Sequence, residues 1–484
     1  MNAFAGTQSV CPVCLRTLPA ELVAGGDAVY IRRACPEHGV FSGLIWKGEP
    51  GLSKWQREKA PVAGVRRETE KAQGCPHDCG RCPEHEQHAC TVLFEITSRC
   101  NLACPVCFAD SGRDARPFTP LETLLGELVW IREHAGEVVL QLSGGEPTLH
   151  PGLPALTRAA RRLFPAVQLN TNGLALAEQP GLARKLAEAG LSWVFLQFDG
   201  ASDAAFVALR GRPLLEKKLE AVRRCAEAGL SVVLVPTVAP GVNDGELGDL
   251  LRLALSLAPT VRGMHLQPMT ASGRNSLAPA LAADGREPLT LPEVLRLLCE
   301  QSNGLILPEH ATAPNCEHSR CSFHCRYRLT PSGSLVPLRG ESACYGDGGP
   351  CCPGGELVDE DRGDALGARR AIDVILRAWQ GGGANGVNGV KPESGAVPDA
   401  VPAAAFAAPA APNAPDAPDA FDAFIAEARK RTFSVTCMAF QDCMNLDLAR
   451  LRRCCVHVFA RPGRLVPFCA YNLTSLDGAA LYRN

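Results

Sequence analysis

The sequence has almost no net charge, and this limits the partners that the whole chain could attract. Its 49 Lys and Arg residues are balanced by 51 Asp and Glu residues, which leaves a formal charge of −2. So weak a field does not draw nucleic acid or an anionic membrane from a distance. We therefore expect no nucleic-acid partner, whereas a local, peripheral membrane contact stays open.

Long apolar runs and an export signal are also missing. A membrane-spanning helix needs about 20 consecutive apolar residues, and the sequence contains no such run. The N-terminus, MNAFAG, has no basic stretch followed by an apolar segment, as a secretory signal would. We expect a cytoplasmic protein. With 484 residues, 46% of them hydrophobic, the chain can form several domains with a large core.

Cysteine, by contrast, is abundant, with 23 residues in the chain. Small secreted proteins use many cysteines for disulfides, but this chain is long and groups its thiols at CxxC and CxxxC spacings. In a reducing cytoplasm such spacings indicate metal ligation. Disulfide pairing is the alternative that the sequence leaves open.

Residues 1–50 contain two short metal-binding motifs. Cys11 and Cys14 form the first, and Cys35 and His38 form the second about 20 residues later. This arrangement is typical of a zinc ribbon or a rubredoxin-like module, in which a tetrahedral metal stabilises a segment too small to bury much core. We predict that these four residues hold zinc or iron. The alternative is an incomplete site with His38 on the surface.

A second cysteine group lies in residues 51–90. Cys75, Cys79 and Cys82 have CxxxCxxC spacing, and Cys90 follows eight residues later. Four thiolates would occupy every iron of a 4Fe-4S cluster and leave none open for a ligand. We predict an auxiliary cluster that carries electrons or stabilises structure. Zinc is the alternative, with ligands available from His77, His85 and His88.

The third cysteine group, Cys100, Cys104 and Cys107, is the most informative part of the sequence. It again has CxxxCxxC spacing and follows an apolar, strand-like segment at 91–97. Three thiolates can hold three irons of a 4Fe-4S cluster and leave the fourth iron open for a substrate or cofactor. A zinc knuckle with a distant fourth ligand is the alternative for the thiols alone. A second motif, SGGEP at 143–147, also follows an apolar run.

From about residue 91 to 270, strand and helix patterns alternate. The strand candidates are 92–97, 138–142, 167–170, 193–198, 232–238 and 264–267, and the helix candidates are 121–133, 153–163, 182–188, 215–228 and 246–257. Repeated β-α units predict a parallel sheet or barrel. The cysteine group, the GGE turn, the segment NTNG at 170–173 and Asp199-Gly200 each follow a strand. In α/β folds that edge of the sheet binds ligands.

The cysteine loop, the GGEP turn and the strand-helix alternation together resemble the radical S-adenosylmethionine (SAM) superfamily. The resemblance implies an α/β fold with a partial (β/α)6 barrel, an N-terminal rubredoxin-like or zinc-ribbon module and a C-terminal Cys-rich auxiliary-cluster region. It implies that Cys100, Cys104 and Cys107 hold the SAM-binding 4Fe-4S cluster. The candidate SAM contacts are Gly144, Gly145, Glu146, Asn170, Asn172 and Asp199.

One position departs from the family pattern. An aromatic residue usually precedes the third cysteine, where this chain has Val106. The contact with the adenine ring is then weaker, or it comes from another group such as Phe108. The activity implied by the resemblance is reductive cleavage of SAM, driven by a flavodoxin- or ferredoxin-type donor. The resulting 5′-deoxyadenosyl radical abstracts hydrogen from an unactivated carbon.

Within the superfamily, the chain resembles a group that contains archaeal tetraether lipid synthase and whose members have also been described as hydroxymethyl-dihydropterin methyltransferases. The N-terminal motifs, CPHDCGRC at 75–82, CNLACPVCFA at 100–109, TCM at 436–438, CMN at 443–445 and PFCAYN at 467–472 carry this resemblance. It implies carbon–carbon bond formation on lipid chains. A methyltransferase acting on a small pterin-like substrate and a peptide maturase are the alternative enzymes. A multi-metal electron carrier is the non-enzymatic alternative.

The same resemblance assigns the remaining cysteines. One auxiliary 4Fe-4S cluster would be held by Cys75, Cys79, Cys82 and Cys90. A possible second one would be held by Cys437, Cys443, Cys469 and either Cys454 or Cys455. Cys316, Cys321 and Cys325 compete for that second role, whereas Cys225 and Cys299 fall in helical patterns and are interpreted as buried fillers.

The C-terminal half divides by composition. Residues 271–375 form a Cys-rich extension, and 376–420 form an Ala/Pro/Gly linker too poor in large apolar residues to pack a core. Residues 421–484 form a second Cys-rich segment, with a helix predicted at 423–430.

Overall fold

The structure, a computed structural model, describes residues 2–55, 65–112, 116–314, 316–330, 333–338 and 431–483, together with Ile372, Leu376 and Trp379. Its N-terminal part is a four-stranded antiparallel sheet in sequential order, formed by β1 (Asn2–Val10), β2 (Thr17–Gly25), β3 (Ala28–Cys35) and β4 (Gly39–Lys47). A short helix, α1 (Leu52–Trp55), follows. The turns β1–β2 and β3–β4 carry the two predicted metal-binding motifs.

Six parallel strands form the centre of the molecule. They are β5 (Thr91–Thr97), β7 (Val139–Gly144), β8 (Ala166–Thr171), β9 (Trp193–Gln197), β10 (Ser231–Val235) and β12 (Val261–Pro268), and neighbours in the sheet follow this same order. Each is the first half of a β-α unit, as the alternation predicts. Two short pairs accompany them: β11 (Thr237–Val238) extends beside β12, and β6 (Val106–Cys107) pairs with β13 (Arg274–Asn275).

Helices cover the outer face of these strands. They are α2 (Leu121–Ala135), α3 (Leu153–Leu163), α4 (Leu174–Glu178), α5 (Leu182–Glu188), α6 (Asp203–Arg210), α7 (Leu215–Glu227) and α8 (Leu247–Ser256). After β12 follow α9 (Ala278–Ala283), which buries none of its residues, and α10 (Leu291–Gln301), which packs on α8. The five predicted helices all form, with ends within two residues of those expected. Helices α4 and α6 were not predicted from the sequence, because each is too short to show a clear periodicity. No helix among the described residues has the length and apolar composition required to cross a membrane.

The C-terminal segment extends the six-stranded sheet on both sides. Its strand β16 (Thr432–Met438) pairs in parallel with β12, and β17 (Val456–Ala460) pairs in parallel with β5. Beyond these strands lie antiparallel β14 (Ser322–Leu329), β15 (Leu335–Pro337) and β18 (Arg464–Pro467). The short helices α11 (Leu448–Arg452) and α12 (Phe468–Tyr471) complete the segment. One stretch of chain therefore supplies a strand to each edge of the partial barrel.

The alternation of side chains along each strand creates two different layers. Residues such as Val92, Phe94 and Leu140 point outward and are fully buried against the helices. On the inner face, Trp193 and Phe195 meet Trp379, with ring centroids 5.9 and 4.9 Å away, and close the floor of the barrel. Trp379 falls within the predicted linker 376–420, so packed structure reaches further along the chain than the composition indicated. The predicted helix 423–430 lies outside the described residues.

Candidate functional site

The cysteine loop after β5 is held in place by two arginines from distant parts of the chain. Arg274 donates from Nε to the Cys104 carbonyl over 2.7 Å, and Arg210 donates from Nη1 to the Val106 carbonyl over 2.9 Å. The pairing of β6 with β13 fixes the end of the loop. As a result, the backbone that carries the three thiols is anchored on two sides before any ligand binds.

All three predicted thiols of this loop face one cavity. Cys104 is buried, and Cys100 and Cys107 are partly buried at its wall. Burial raises the pKa of Cys100 to about 12 and also raises the pKa of Cys104. Thiolates there would be costly without a compensating positive charge, and the irons of a cluster supply that charge. The donor set and its surroundings fit a 4Fe-4S cluster with one open iron.

The GGEP turn lies directly against the end of β5. The amide of Gly145 donates to the Thr97 carbonyl over 2.7 Å, and the amide of Glu146 donates to the Arg99 carbonyl over 2.7 Å. A Cβ at Gly144 would collide with the Thr97 carbonyl oxygen, and one at Gly145 with the Arg99 carbonyl oxygen. Glycine is therefore required at both positions by the close approach of two backbones.

The Glu146 side chain ties two loops together. Its carboxylate is 1% exposed and accepts hydrogen bonds from the amide and hydroxyl of Thr148, the hydroxyl of Thr171 and the amide of Asn172, at 2.5–3.1 Å. Both oxygens are thus used within the protein. The predicted contact with SAM would have to come from the Glu146 backbone, while the side chain positions the loop after β8.

Asn170 and Asn172 both line the cavity but are engaged differently. Asn172 donates to the Asn101 side chain of the cysteine loop over 2.7 Å, and its own oxygen accepts from the Leu174 amide. Asn170 donates to the side chain of Gln141 over 3.1 Å. Asn172 is therefore a positioning residue for the cysteine loop, whereas Asn170 belongs to a polar layer inside the barrel.

The cavity continues from the cysteine loop into the barrel and has a volume of about 310 Å³. Its inner part is lined by polar side chains of four strands, namely Gln141, Asn170, Gln197, His265 and Gln267. Its outer wall is formed mainly by the C-terminal segment, through Met438, Phe440, Val456, Phe468, Asn472 and Arg483. The C-terminal segment thus helps to enclose the space next to the three cysteines.

Comparison with known proteins decides the family. The chain matches the Radical SAM superfamily over residues 94–254 and the HMPTM N-terminal zinc ribbon domain over residues 4–47. It is 31% identical, over 490 residues, to the 7,8-dihydro-6-hydroxymethylpterin dimethyltransferase of Methanocaldococcus jannaschii, with 96% of this chain and 93% of that protein covered. The chain belongs to the radical SAM superfamily. The predicted fold class and the predicted use of SAM and iron–sulfur clusters are thereby confirmed.

Other similarities to this radical SAM protein are more local. The GTP 3′,8-cyclase of Peptoclostridium acidaminophilum is 31% identical over 188 residues, which cover 38% of this chain and 57% of the cyclase. The solved structure of Streptococcus suis SuiB bound to S-adenosylmethionine has a TM-score of 0.37 at 16% identity and covers 44% of this chain and 47% of SuiB.

Asp199 is placed differently from its predicted role as a SAM contact. It is 1% exposed, and it is not among the described residues that line the cavity. Its carboxylate accepts two hydrogen bonds from Arg210, which does line the cavity. Burial alone would lower the pKa of Arg210, but Asp199 outweighs it and keeps the guanidinium charged. Nothing in the helical pattern of α6 distinguished Arg210 from a surface arginine.

A buried lysine on α7 completes the wall behind this part of the radical SAM site. Lys218 is fully buried and donates from Nζ to the Asn172 carbonyl over 2.5 Å and to the Gln197 side chain over 3.2 Å. Burial lowers its pKa to about 8. Lys218 lies in an ordinary charged helix pattern, so this role could not be predicted from the sequence.

The structure brings the four predicted ligands of the N-terminal metal site together. The ligand atoms of Cys11, Cys14, Cys35 and His38 all lie within 4.8 Å of one another. His38 Nδ1 is 3.4 Å from Cys35 Sγ and 3.6 Å from Cys11 Sγ. This arrangement fits a single tetrahedral ion. His38 is exposed, but its ring nitrogen faces the cysteines, so the geometry favours a site with four ligands.

The structure does not bring together the four cysteines that were predicted to hold one auxiliary cluster. Cys75, Cys79 and Cys82 do lie close together, and they line a small cavity with His85. Cys90 lies elsewhere, with its sulfur 3.1 Å from that of Cys455. The reason is strand pairing: Cys90 directly precedes β5, whose neighbour β17 directly follows Cys455. Spacing in the sequence could not reveal this partner.

The structure also separates the four cysteines that were predicted to hold a second auxiliary cluster, Cys437, Cys443, Cys454 and Cys469. Cys454 and Cys469 lie near Cys321, to whose sulfur Arg450 donates over 3.1 Å. Cys437 is packed in the core beside Cys325, because it points outward from β16. Cys443 lies beside the N-terminal sheet, where its carbonyl accepts from Arg33. Cys321, Cys454 and Cys469 are thus the C-terminal candidates for an auxiliary cluster.

Proposed function

We propose that this radical SAM protein acts on a small, planar, polar substrate, and that the reaction is methyl transfer to a pterin-like ring. The observation that carries the proposal is the layer of amide and imidazole groups inside the barrel, directly beyond the three cysteines. The name of the Methanocaldococcus jannaschii relative, a pterin dimethyltransferase, agrees with such a substrate.

The amide groups form a hydrogen-bond chain with a defined direction. Trp193 donates to Gln168 over 2.9 Å, Gln168 donates to Asn170 over 2.5 Å, and Asn170 donates to the Gln141 oxygen over 3.1 Å. The Gln141 amide nitrogen ends the chain, and among the described residues it has no acceptor. Because Gln141 lines the cavity, its N–H groups are available to a ring nitrogen or carbonyl of a substrate.

Gln197 and His265 offer further groups to the same space. The Gln197 oxygen accepts from Lys218, which leaves its amide nitrogen for a ligand. His265 Nδ1 lies 2.7 Å from the Thr436 hydroxyl, and burial lowers the pKa of this histidine to about 4. A neutral imidazole can donate or accept at Nε2 according to its tautomer. These groups suit the alternating donors and acceptors of a heterocycle.

The floor of the barrel fits a flat ring. Phe195 and Trp379 lie at the base of the cavity, where an aromatic substrate can stack on them. A saturated lipid chain in this position would leave each polar group without a partner, at a cost of about 1–3 kcal/mol for each one. The inner part of the cavity therefore favours a heterocycle over an alkyl chain.

The residues near the cysteines have separate tasks. Cys100, Cys104 and Cys107 would hold the cluster, which would supply the electron for reductive cleavage of SAM, and a flavodoxin- or ferredoxin-type protein is the proposed donor. Glu146 and Asn172 keep the neighbouring loops in register, as described above. The apolar wall formed by the C-terminal segment excludes water and stray hydrogen donors from the reacting carbon.

Carbon–carbon coupling between lipid chains is the second candidate. The observation that favours it is the apolar side of the cavity, where Phe108, Phe440 and Phe468 form an aromatic cluster with ring centroids 4.3–5.5 Å apart. An alkyl chain could lie along this wall. It would reach the reacting position without entering the polar layer.

The experiment that separates the two uses methyl-deuterated SAM. Anaerobic, reconstituted protein with dithionite is given either 6-hydroxymethyl-7,8-dihydropterin or a cell lipid extract, and the products are analysed by mass spectrometry. Methyl transfer predicts a pterin that carries the deuterated methyl group. Lipid coupling predicts lipids lighter by two hydrogens and no label. Unlabelled pterin together with coupled lipids would overturn the first proposal.

A pair of variants tests the role of the polar layer. Gln141→Leu removes the end of the hydrogen-bond chain and should strongly reduce pterin methylation, while SAM cleavage without substrate continues. Gln179→Leu, at an exposed position after α4, is the matched control and should behave as the wild type. Equal losses of methylation and basal SAM cleavage in Gln141→Leu would show damage to the SAM site instead.

A further inference from the structure

Cys90, Cys316 and Cys455 form a buried thiol triad at the end of the barrel opposite the cysteine loop. Their side chains are 4%, 2% and 1% exposed, and their sulfur atoms all lie within 4.8 Å of one another. Cys90 directly precedes the first residue of β5, whereas the cysteine loop follows its last. The seven-residue length of β5 therefore separates the triad from the cysteine loop.

Backbone hydrogen bonds position the members of the triad. The Cys90 amide donates to the Cys455 carbonyl over 2.9 Å, and the Cys90 carbonyl accepts from the Val139 amide over 3.0 Å. Gln87 donates from its side chain to the Cys316 carbonyl over 2.8 Å. The sulfurs thus converge from three backbones that are fixed independently of any metal.

The spacing of the sulfurs distinguishes one ion from a cluster. Sulfurs bound at about 2.3 Å to a tetrahedral ion lie about 3.8 Å from one another. In a cubane each cysteine binds a different iron, so the sulfurs are spread more widely. A triad within 4.8 Å is closer to the spacing around a single ion than to that of a cubane. The 3.1 Å between Cys90 and Cys455 would have to widen to about 3.8 Å when the ion binds.

A carboxylate lies next to the triad. Glu317 Oε2 is 3.9 Å from Cys455 Sγ. The other carboxylate oxygen, Oε1, accepts from the Ser322 hydroxyl over 2.6 Å. A hydrogen bond of this kind orients a ligating carboxylate toward its metal.

We propose that Cys90, Cys316, Cys455 and Glu317 bind one tetrahedral divalent ion, with zinc as the best match to three thiolates and a carboxylate. The ion joins three segments that are far apart in sequence. In particular, it connects the start of β17 to the start of β5. Strand β17 is followed by β18 and then by α12, the helix that contributes Phe468 to the cavity wall. The site is therefore structural and stabilises the enclosure of the SAM site from a distance.

Metal counting tests the proposal on the full chain reconstituted with iron, sulfide and zinc. The wild type should hold two zinc ions, one here and one at the N-terminal site. Cys316→Ala and Cys14→Ala should each lose one, and the double variant should lose both, with iron and sulfide unchanged throughout. Cys225→Ala removes a buried thiol from α7 and is the matched control, with zinc content unaffected.

Three outcomes would overturn the proposal. Cys316→Ala could lose iron and sulfide while keeping its zinc, which would assign the triad to an iron–sulfur cluster. Its zinc content could equal that of Cys225→Ala, which would show that no ion binds there. Mass spectrometry of the alkylated wild type could reveal a disulfide between Cys90 and Cys455, in which case the sulfurs would not be ligands.

If Cys316→Ala does not fold, a second variant tests whether zinc binds at the triad. Glu317→Gln keeps all three thiols and should weaken zinc binding at one of the two sites by about 10-fold or more in chelator competition. Glu300→Gln, on the exposed side of α10, controls for the loss of a carboxylate. An unchanged competition curve for Glu317→Gln would overturn the assignment of the fourth ligand and of the site as drawn.

Discussion

Arg210 and Asp199 form a buried ion pair that connects the barrel to the cysteine loop. Arg210 donates to Asp199 from Nε over 2.7 Å and from Nη2 over 2.6 Å, and Nη1 of the same guanidinium donates to the Val106 carbonyl over 2.9 Å. The side chains are 4% and 0% exposed. The loop that presents the three thiols is therefore held by a charge on α6, whose counter-charge lies just after β9 in the same β-α unit.

Asp199→Asn should destabilise the protein and loosen this loop. The substitution leaves Arg210 buried with only a neutral partner, and breaking a buried pair costs about 3–5 kcal/mol. We expect a lower urea midpoint and broadened electron paramagnetic resonance of the reduced cluster. Arg212→Lys, at an exposed position just beyond α6, is the control. A wild-type urea midpoint for Asp199→Asn would contradict the role given to the pair.

Gly145→Ala should prevent correct formation of the SAM site. The added Cβ would overlap the Arg99 carbonyl oxygen, so the GGEP turn would have to move away from the cysteine loop. We expect loss of SAM cleavage, with the iron content of the auxiliary sites retained. Gly126→Ala is the matched control, because that glycine lies in α2 with nothing near its Cβ position. It should stabilise the helix by up to about 1 kcal/mol.

His265 should make the protein sensitive to acid. Its pKa is lowered to about 4 by burial, and its neighbours Thr436, Phe195 and Trp379 carry no charge. In the unfolded chain the pKa is about 6.5, so between these values the unfolded state binds more protons than the folded state. The free energy of unfolding therefore falls as the pH falls from about 6.5 to about 4.

Urea unfolding of wild type and His265→Gln at pH 7 and at pH 5 measures this contribution. The variant should lose less stability between the two pH values than the wild type, by about 1–2 kcal/mol. His134→Gln, on α2, removes a partly exposed histidine and serves as the control. An identical acid dependence of His265→Gln and wild type would contradict the prediction.

Trp379→Ala should open the floor of the barrel. The indole packs against Trp193 and Phe195 and donates to the Ser434 hydroxyl over 2.8 Å. Removing so large a buried side chain costs about 3–5 kcal/mol, which urea unfolding would detect. Phe4→Ala, at a position 54% exposed, should have little effect. If Trp379→Ala unfolds like Phe4→Ala, the ring does not close the barrel in solution.

Local patterns in the sequence were sufficient for the central fold. The alternation of apolar strands and helices predicted all six strands of the partial barrel, because strand and helix periodicities arise from the backbone geometry of each segment. The structure also places the cysteines of the CxxxCxxC loop at one cavity and the four N-terminal ligands in one cluster, since these residues lie within a few positions of one another or on adjacent turns. Within such short distances, spacing alone limits what the side chains can bind.

Tertiary structure alone decided which distant residues meet. Cys90 joins Cys455 because β5 pairs with β17, and Arg210 reaches the Val106 carbonyl because α6 lies against the cysteine loop. The sequence determined that thiols and carboxylates were present and which elements carried them. It could not determine these contacts, because the pairing of strands depends on backbone hydrogen bonds between segments hundreds of residues apart, which leave no periodic pattern in either segment.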